Sequence, residues 1–257
     1  VIREPDSFLN GIPMRKTYRL LSLRRSASAI AVATALVSAQ SAFSAEIVVG
    51  SGTTDTTGQF PADGDTLTVE KGGTISVSGN GVDAVVAAPG AHVSIFNHGV
   101  IEAAGPGTAM GIVGDFKLED FLNTGSITGF YSGMYVGFST TASFVNEGWI
   151  AGDQSGLTFA MSNIADFANS GTIQGEQYGI KANGSTFQNL TNSGTIRGKM
   201  NQGIYASSIG TLTNTGTGKI LGDGLLAGIE VTNGIGTIFN EGEISGYVAG
   251  LLVAGSS

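Results

Sequence analysis

Apolar side chains recur along this chain at two spacings, one short and one long. Over short stretches they alternate with polar or mixed residues, the period of two that is typical of β-strands. Over longer distances the same pattern returns every 23 residues, as in FVNEGWIAGDQSGL, FANSGTIQGEQYGI and LTNSGTIRGKMNQGI, which begin at residues 144, 167 and 190. A fixed period of this size indicates a repeat architecture.

Each copy is anchored by an asparagine, and a glycine follows two residues later. Seven asparagines share this frame: Asn97, Asn123, Asn146, Asn169, Asn192, Asn214 and Asn240. The glycines are Gly99, Gly125, Gly148, Gly171, Gly194, Gly216 and Gly242. Since Asn tolerates left-handed backbone and Gly adopts it without a Cβ clash, the N-x-G pattern predicts a sharp bend in every coil.

Three apolar rows accompany the asparagines and predict three short strands in each coil. One row precedes the asparagine by two residues and runs from Ile95 through Phe144 to Ile238. A second follows the glycine by two residues, from Ile101 to Ile244, and the third follows a later glycine, from Ile112 to Leu251. In the sixth coil the run NTGTGKILG inserts two residues, so Ile220 and Gly222 take their roles late.

Two irregular coils are also expected. The segment VEKGGTISVSGNGVD fits the frame as an eighth coil, with Lys71 in the place of the asparagine and Gly81-Val82 as the later pair. The coil that opens at Asn97 is three residues longer than the period. We place its excess in the polar run Asp115 to Asp120 and expect a bulge there.

Strands this short cannot bury an apolar face within one coil, so only stacking of coils forms a core. Parallel neighbours in such a stack lie about 4.8 Å apart, with like residues above like. The sequence therefore predicts an all-β fold, a right-handed parallel β-helix built as a solenoid of about eight coils of 22 to 26 residues. A leucine-rich repeat has a similar period, but its L-x-x-L-x-L-x-x-N spacing is absent.

Composition narrows the functional classes. The 257 residues include 41 Gly and no Cys, which excludes disulfides, thiol catalysis and cysteine metal sites. A flexible Gly-rich linker is rejected because 41% of residues are hydrophobic and recur in register. Residues 46 to 257 hold 18 acids and 6 bases, a net charge of −12. We expect no nucleic-acid partner, since that binding depends on neutralising phosphates.

The N-terminal part divides into three segments before the repeats. Residues 1–13 resemble nothing that follows and are read as an upstream extension, with Met14 as the true start. Residues 14–45 combine a basic stretch, a short apolar stretch and the small-residue run SAQSAFSA, and predict a secretory signal peptide, with the mature chain beginning at Ala45 or Glu46. Residues 46–68 are expected to cap the solenoid, and residues 69–257 to form its repeats. Because Ser257 falls within a coil, we expect a fragment of a longer chain.

An exported, cysteine-free, glycine-rich acidic chain with stacked F-x-N-x-G-x-I-x-G coils resembles the passenger domain of Gram-negative autotransporters, the type V secretion class with a pectin-lyase-like β-helix. The resemblance covers residues 14 to 257 and is architectural. It implies display at the cell surface, through a C-terminal outer-membrane barrel that this chain lacks, or release outside the cell. It also implies a role in adhesion or aggregation.

Candidate chemistry is sparse in the sequence. His92 and His98 lack zinc-ligand spacing, and SGNGVDAVV, at 78 to 86, approximates a single calcium nonapeptide whose residues the coil frame already explains. We assign no catalytic, cofactor-binding or metal-binding residue and expect no cofactor. The best surface candidates form one outward row, composed of Phe130, Asp153, Glu176, Lys199, Asp223 and Tyr247.

Two readings of that surface remain open. Stacked carboxylates of Asp153 and Glu176, with Lys199 next, would perturb each other's pKa and suit calcium or acid–base chemistry on a polysaccharide. Opposed charges on a solvated sheet equally need no function. A separate set of tyrosines would suit sugar or protein contact: Tyr131, Tyr135, Tyr178, Tyr205 and Tyr247.

We therefore expect a non-enzymatic surface passenger, a rigid rod that binds a host or matrix surface or like molecules. The alternative is a secreted β-helical polysaccharide lyase or hydrolase. A phage-tailspike-like protein shares the helix but would not need the signal peptide.

Overall fold

The computed structural model describes residues 44–254, and this part of the chain folds as an all-β parallel solenoid of about nine turns. It contains 23 strands and no helix. Within the described residues, accordingly, no helix is long and apolar enough to cross a membrane. The upstream extension predicted at 1–13 lies outside the described residues, as do residues 14–43 of the signal peptide predicted at 14–45.

Each turn crosses three rows of strands, and every pairing between successive turns is parallel. The strands of the first row end at the asparagine position. They are β1 (Glu46–Val49), β3 (Thr66–Val69), β6 (His92–Asn97), β9 (Lys117–Asn123), β12 (Thr140–Asn146) and β15 (Asn163–Asn169).

The second row carries the isoleucines and forms a nine-stranded sheet of its own. Its strands are β2 (Thr54–Asp55), β4 (Thr74–Val77), β7 (Val100–Ala103), β10 (Ser126–Gly129), β13 (Trp149–Gly152), β16 (Thr172–Gly175), β18 (Thr195–Gly198), β20 (Lys219–Gly222) and β22 (Glu243–Gly246). The segment expected as a cap thus supplies β1 and β2, which pair in register with the next turn and raise the count from eight to about nine.

The third row begins as short strands and later merges with the first row of the following turn, so both rows belong to one 14-stranded sheet. The short strands are β5 (Val85–Val86), β8 (Met110–Gly114), β11 (Ser132–Gly137), β14 (Ser155–Ala160) and β23 (Leu251–Val253). The long strands are β17 (Tyr178–Asn192), β19 (Ile204–Asn214) and β21 (Ile229–Asn240).

The interior consists of like residues stacked on like, as the three apolar rows predict. From Ile75 to Ile220 the second row places seven isoleucines in register, all fully buried. In the first row, Phe144 stacks on Phe121 and Phe167 with ring centroids 4.3 and 4.8 Å apart. Stacked aromatic pairs add specific stabilisation to the area that they bury.

The asparagines form a hydrogen-bonded ladder beside this core. Each Nδ2 donates to the Oδ1 of the next asparagine along the stack, at 2.7 to 2.9 Å, from Asn97 to Asn240. The amides from Asn97 to Asn214 are buried. Because every inner member both donates and accepts, the ladder satisfies polar groups that would otherwise be costly to bury.

In six of the seven coils, the glycine that follows the asparagine is required for a different reason from the one expected. None of the seven has positive φ. A Cβ on Gly148 would lie 2.1 Å from the carbonyl oxygen of Gly125, so close approach of successive backbones excludes a side chain. In the sixth coil, nothing lies within 4 Å of a Cβ on Gly216, and Gly218 makes the close contact instead, as the two-residue insertion requires.

The first repeat coil departs from the expected frame. Val69, not Lys71, pairs with Asn97, because Lys71 and Gly72 are inserted before Gly73 and Ile75. Likewise Val85, rather than Val82, pairs with Ile112. Val82 is exposed on the loop before β5.

The excess of the second coil also lies elsewhere than expected. The loop from 104 to 109 joins β7 to β8 with six residues, whereas the next turn uses only Phe130 and Tyr131 between β10 and β11. The run from Asp115 to Asp120 is instead mostly strand, with one register shift against β6. Most of the excess predicted at 115–120 therefore lies in the loop from 104 to 109, because polar composition did not mark the insertion, and only a one-residue irregularity against β6 falls within the predicted run.

Candidate functional site

The outward row follows the second-row strands at one corner of the solenoid. Backbone N–H groups of Asp153, Lys199 and Asp223 donate to the preceding turn at 2.9 to 3.1 Å, and that of Glu176 does so at 3.4 Å. Lys199 forms an ion pair with Glu176 in the turn below, so two members of the row neutralise each other. Asp223 pairs instead with Arg197, a strand residue outside the predicted row.

Asp153 and Glu176 line one shallow depression of about 250 Å³ beside the backbone of Gly129 and Gly152. Asp153 is exposed and Glu176 is half-buried. The depression thus brings two of the predicted acidic residues together, but one of them is already held by Lys199. Phe130 and Tyr247 stand exposed on the same corner, in more distant turns.

A second surface, on the first-row strands, was not singled out from the sequence. His92 Nδ1 lies 2.5 Å from Glu119 Oε1, and His92 Nε2 lies 3.2 Å from Lys117 Nζ. These exposed groups line a groove of about 370 Å³ together with Thr140 and Asn163. Glu119 and Lys117 lie 27 and 25 residues from His92 in the sequence, so no local motif could have indicated the cluster.

The aspartate of the calcium-like nonapeptide, Asp83, has a structural role. The Asp83 carboxylate accepts a hydrogen bond from the backbone N–H of Met110 at 2.7 Å and so links two turns. Burial raises the pKa of Asp83 above its usual value, although the hydrogen bond acts in the opposite direction. No group of three or more His, Asp or Glu side chains within residues 44–254 is arranged to hold a metal ion.

The third surface is a groove across the third-row strands, which we call the tyrosine groove. Its volume is about 350 Å³. It is lined by Tyr131, Tyr135, Thr158, Lys181, Asn183 and five further residues, one of which is Phe159. Tyr135, Thr158 and Lys181 are direct register partners in successive turns. The groove therefore runs along the solenoid axis in steps of about 4.8 Å.

Four of the five predicted tyrosines gather on this face, and Tyr247 does not. Tyr178 and Tyr205 lie with ring centroids 6.2 Å apart, and Lys181 Nζ lies 5.2 Å from the Tyr178 centroid, a cation–π contact. Burial and the nearby Asp115 carboxylate raise the pKa of the Tyr135 hydroxyl. The hydroxyl therefore remains a neutral hydrogen-bond donor at physiological pH.

An apolar ledge follows directly after the strands that wall the groove. Phe138 and Met161 are 66% and 65% exposed, and both have left-handed backbone, with φ of 47° and 51°. Gly184 occupies the same corner in the next turn, with φ of 64°. A non-glycine residue in this region costs about 1 kcal/mol or more. Two residues with large, exposed side chains thus have a strained backbone at a corner where glycine would have none.

Buried serines hold the strained corner in place. The residues after Phe138, Met161 and Gly184 are serines, and all three are buried. The backbone N–H of Ser139 donates to Ser162 Oγ at 3.2 Å, and that of Ser162 donates to Ser185 Oγ at 3.0 Å. These bonds satisfy N–H groups that the bend turns inward, which explains how the corner persists despite its strain.

The left-handed backbone at Phe138 predicts that glycine is more stable than alanine at this position, the reverse of the usual order. We expect Phe138→Gly to be more stable than Phe138→Ala by about 1 kcal/mol, because alanine retains the left-handed penalty and glycine does not. At an ordinary strand position glycine is the less stable of the two. Urea unfolding midpoints of both variants measure the difference, and an alanine variant equal to or above the glycine variant would contradict the strain.

Comparison of the chain with known protein families, curated proteins and solved structures finds no significant match.

Proposed function

We propose that this chain is the rod of an exported bacterial surface protein of the autotransporter-passenger type, and that it binds a host or matrix surface or like molecules without catalysis. The fold supports the proposal, since about nine turns in register present the same faces repeatedly on one stiff body. Many weak contacts on one body gain from effective concentration.

The observation that carries the proposal is the pairing of the outward acidic row. A lyase or hydrolase needs carboxylates free to exchange protons with a substrate at one place. Here Glu176 is paired with Lys199, and Asp223 with Arg197, in successive turns. Such alternating ion pairs on a solvated sheet favour a surface that stabilises the stack or contacts a partner over one that cleaves glycosidic bonds.

The test compares attachment with cleavage for the same protein. Beads coated with the full chain should attach to cells or extracellular matrix, above beads coated with heat-unfolded chain. The same protein, supplied with calcium, should not shorten polysaccharides. Combined Asp153→Ala, Glu176→Ala and Asp223→Ala substitution should change attachment less than about twofold, since exposed ion pairs contribute little.

Cleavage by the parent that disappears in the triple variant would support the lyase instead. Failure of the folded chain to attach to any surface would contradict the binding proposal. A circular dichroism spectrum of each variant checks that the β-fold is retained.

A further inference from the structure

We propose that the tyrosine groove binds an acidic saccharide, with aromatic contacts at Tyr131 and Tyr135 and the acid group at Lys181. This inference rests on the proposed binding function and names its ligand class and site. In this groove two aromatic rings, hydroxyl and amide groups and a base line a common cavity.

The lining suits a sugar better than a purely apolar ligand. Tyr rings offer flat apolar faces to C–H groups, while Thr158, Asn183 and the Tyr135 hydroxyl supply hydrogen-bonding groups along the same wall. The volume of about 350 Å³ falls within the range of small-ligand sites, roughly 300 to 1,000 Å³. A saccharide presents the same alternation of apolar faces and hydroxyl groups.

The geometry also suits a chain of sugars that lies along the axis. Tyr135, Thr158 and Lys181 stand one above another in three turns, so the wall spans about 10 Å between the first and the last. No bulky loop crosses these turns, because only two residues, Phe130 and Tyr131, join β10 to β11 and two join β13 to β14. An extended ligand therefore has open access along these three turns, and Thr108, on the longer loop from 104 to 109, lines the groove in the turn before them.

Charge selects an acidic ligand. Lys181 is the only charged residue that lines the groove, and within residues 44–254 it forms no ion pair. Its ammonium is held over the Tyr178 ring, which fixes its position but leaves its charge uncompensated by a carboxylate. The Asp115 carboxylate lies near the Tyr135 hydroxyl, two turns and about 10 Å along the axis from Lys181. Its repulsion of an acid group bound at Lys181 is therefore weak, since exposed charges are screened beyond about 8 Å at physiological ionic strength.

The ledge provides a way to separate this proposal from a protein partner. Phe138 and Met161 are the exposed apolar side chains expected of a protein-contact surface, in which aromatic residues and Met are enriched. A saccharide bound at Tyr135 and Lys181 depends little on a methionine. Substitutions in the groove should therefore weaken binding of a saccharide, whereas substitutions on the ledge should weaken binding of a protein partner.

The experiment uses the full chain and two forms of one probe. Calorimetry measures binding of hexuronic-acid oligosaccharides and of the same oligosaccharides after methyl esterification, which removes their charge. We expect the acidic form to bind roughly tenfold or more tightly than the ester, because a charge-assisted bond is lost. Lys181→Met should abolish that preference, whereas Lys219→Met, an exposed base on a second-row strand, should not.

The aromatic contact is tested by a matched pair. Tyr135→Ala should weaken both forms of the probe by a similar factor, on the order of tenfold, whereas Tyr135→Phe should retain most of the affinity because the ring remains. Thermal melting checks that each variant folds. Equal binding of acid and ester, or unchanged binding by Lys181→Met, would overturn the proposal.

Parallel bead attachment separates failure of this inference from failure of the proposed function. Attachment without saccharide binding, lost on Met161→Ser but not on Lys181→Met, would indicate a protein partner at the ledge and reject the saccharide. Saccharide binding without attachment would keep the groove and reject the surface-binding role. Loss of both would reject both.

Discussion

Gly171→Ala should destabilise the centre of the solenoid by about 3 kcal/mol or more, because overpacking against rigid backbone leaves no side chain to move aside. A Cβ at this position would lie 2.1 Å from the Gly148 carbonyl oxygen and 2.6 Å from the Glu147 carbonyl carbon. Relief requires that two turns separate, which breaks hydrogen bonds such as that from Thr172 N–H to Gly148 oxygen at 2.8 Å.

Gly216→Ala is the matched control. It stands in the same N-x-G motif, but the two-residue insertion leaves nothing within 4 Å of its Cβ, and its φ is not positive. We expect a change within about 0.5 kcal/mol. Urea unfolding, followed by the fluorescence of Trp149, whose strand pairs with that of Thr172, measures both variants. Equal midpoints for the two would show that the close contact at Gly171 is not there.

Ile173→Asp should cost about 4 kcal/mol or more, since it places an unpaired carboxylate in a dry stack. Ile173 is fully buried between its register partners Ile150 and Ile196. Thr172→Asp is the control, because Thr172 lies next along the strand and faces outward, half-buried. Wild-type-like melting of Ile173→Asp would show that the register of the second row is wrong.

The pH dependence of that variant provides a further check. Burial raises the pKa of the introduced carboxyl in the folded state above its unfolded value, because the charged form is disfavoured. The deficit relative to the parent should therefore be largest above the raised pKa. It should shrink as the pH falls through that pKa and level off below the unfolded pKa, where both states are protonated. A deficit that does not change between pH 7 and pH 4 would contradict burial of the carboxyl.

The sequence by itself determined the stacked rows. Inward residues alternate within each strand, and each must pack on its counterpart in the next turn. The positions of the core residues can therefore be read from the repeat in the sequence. That is why the isoleucine row, the Phe144 row and the asparagine ladder could all be placed before any coordinates, including the late Ile220. The fold class followed from the same repeated positions.

What the sequence could not determine is how coils of unequal length are matched. The frame placed Lys71 where Val69 pairs, because it assumed a constant spacing from asparagine to isoleucine. The same assumption placed the excess of the second coil at 115–120 instead of in the loop from 104 to 109. Hydrogen bonding and burial between turns decide such insertions, and neither depends on local composition.

Only the tertiary structure showed which side chains complete the candidate sites. The sequence predicted that Asp153, Glu176 and Lys199 stack, but the pairing of Asp223 with Arg197 depends on a side chain that reaches across from a strand. The tyrosine groove likewise combines Tyr135, Thr158 and Lys181, which are separated by 23 residues at each step. The physical reason is that a solenoid buries its repeated residues, so the core must show the repeat in the sequence. Its outer surface is free to vary, and the chemistry of that surface depends on which side chains the stacking of turns places side by side.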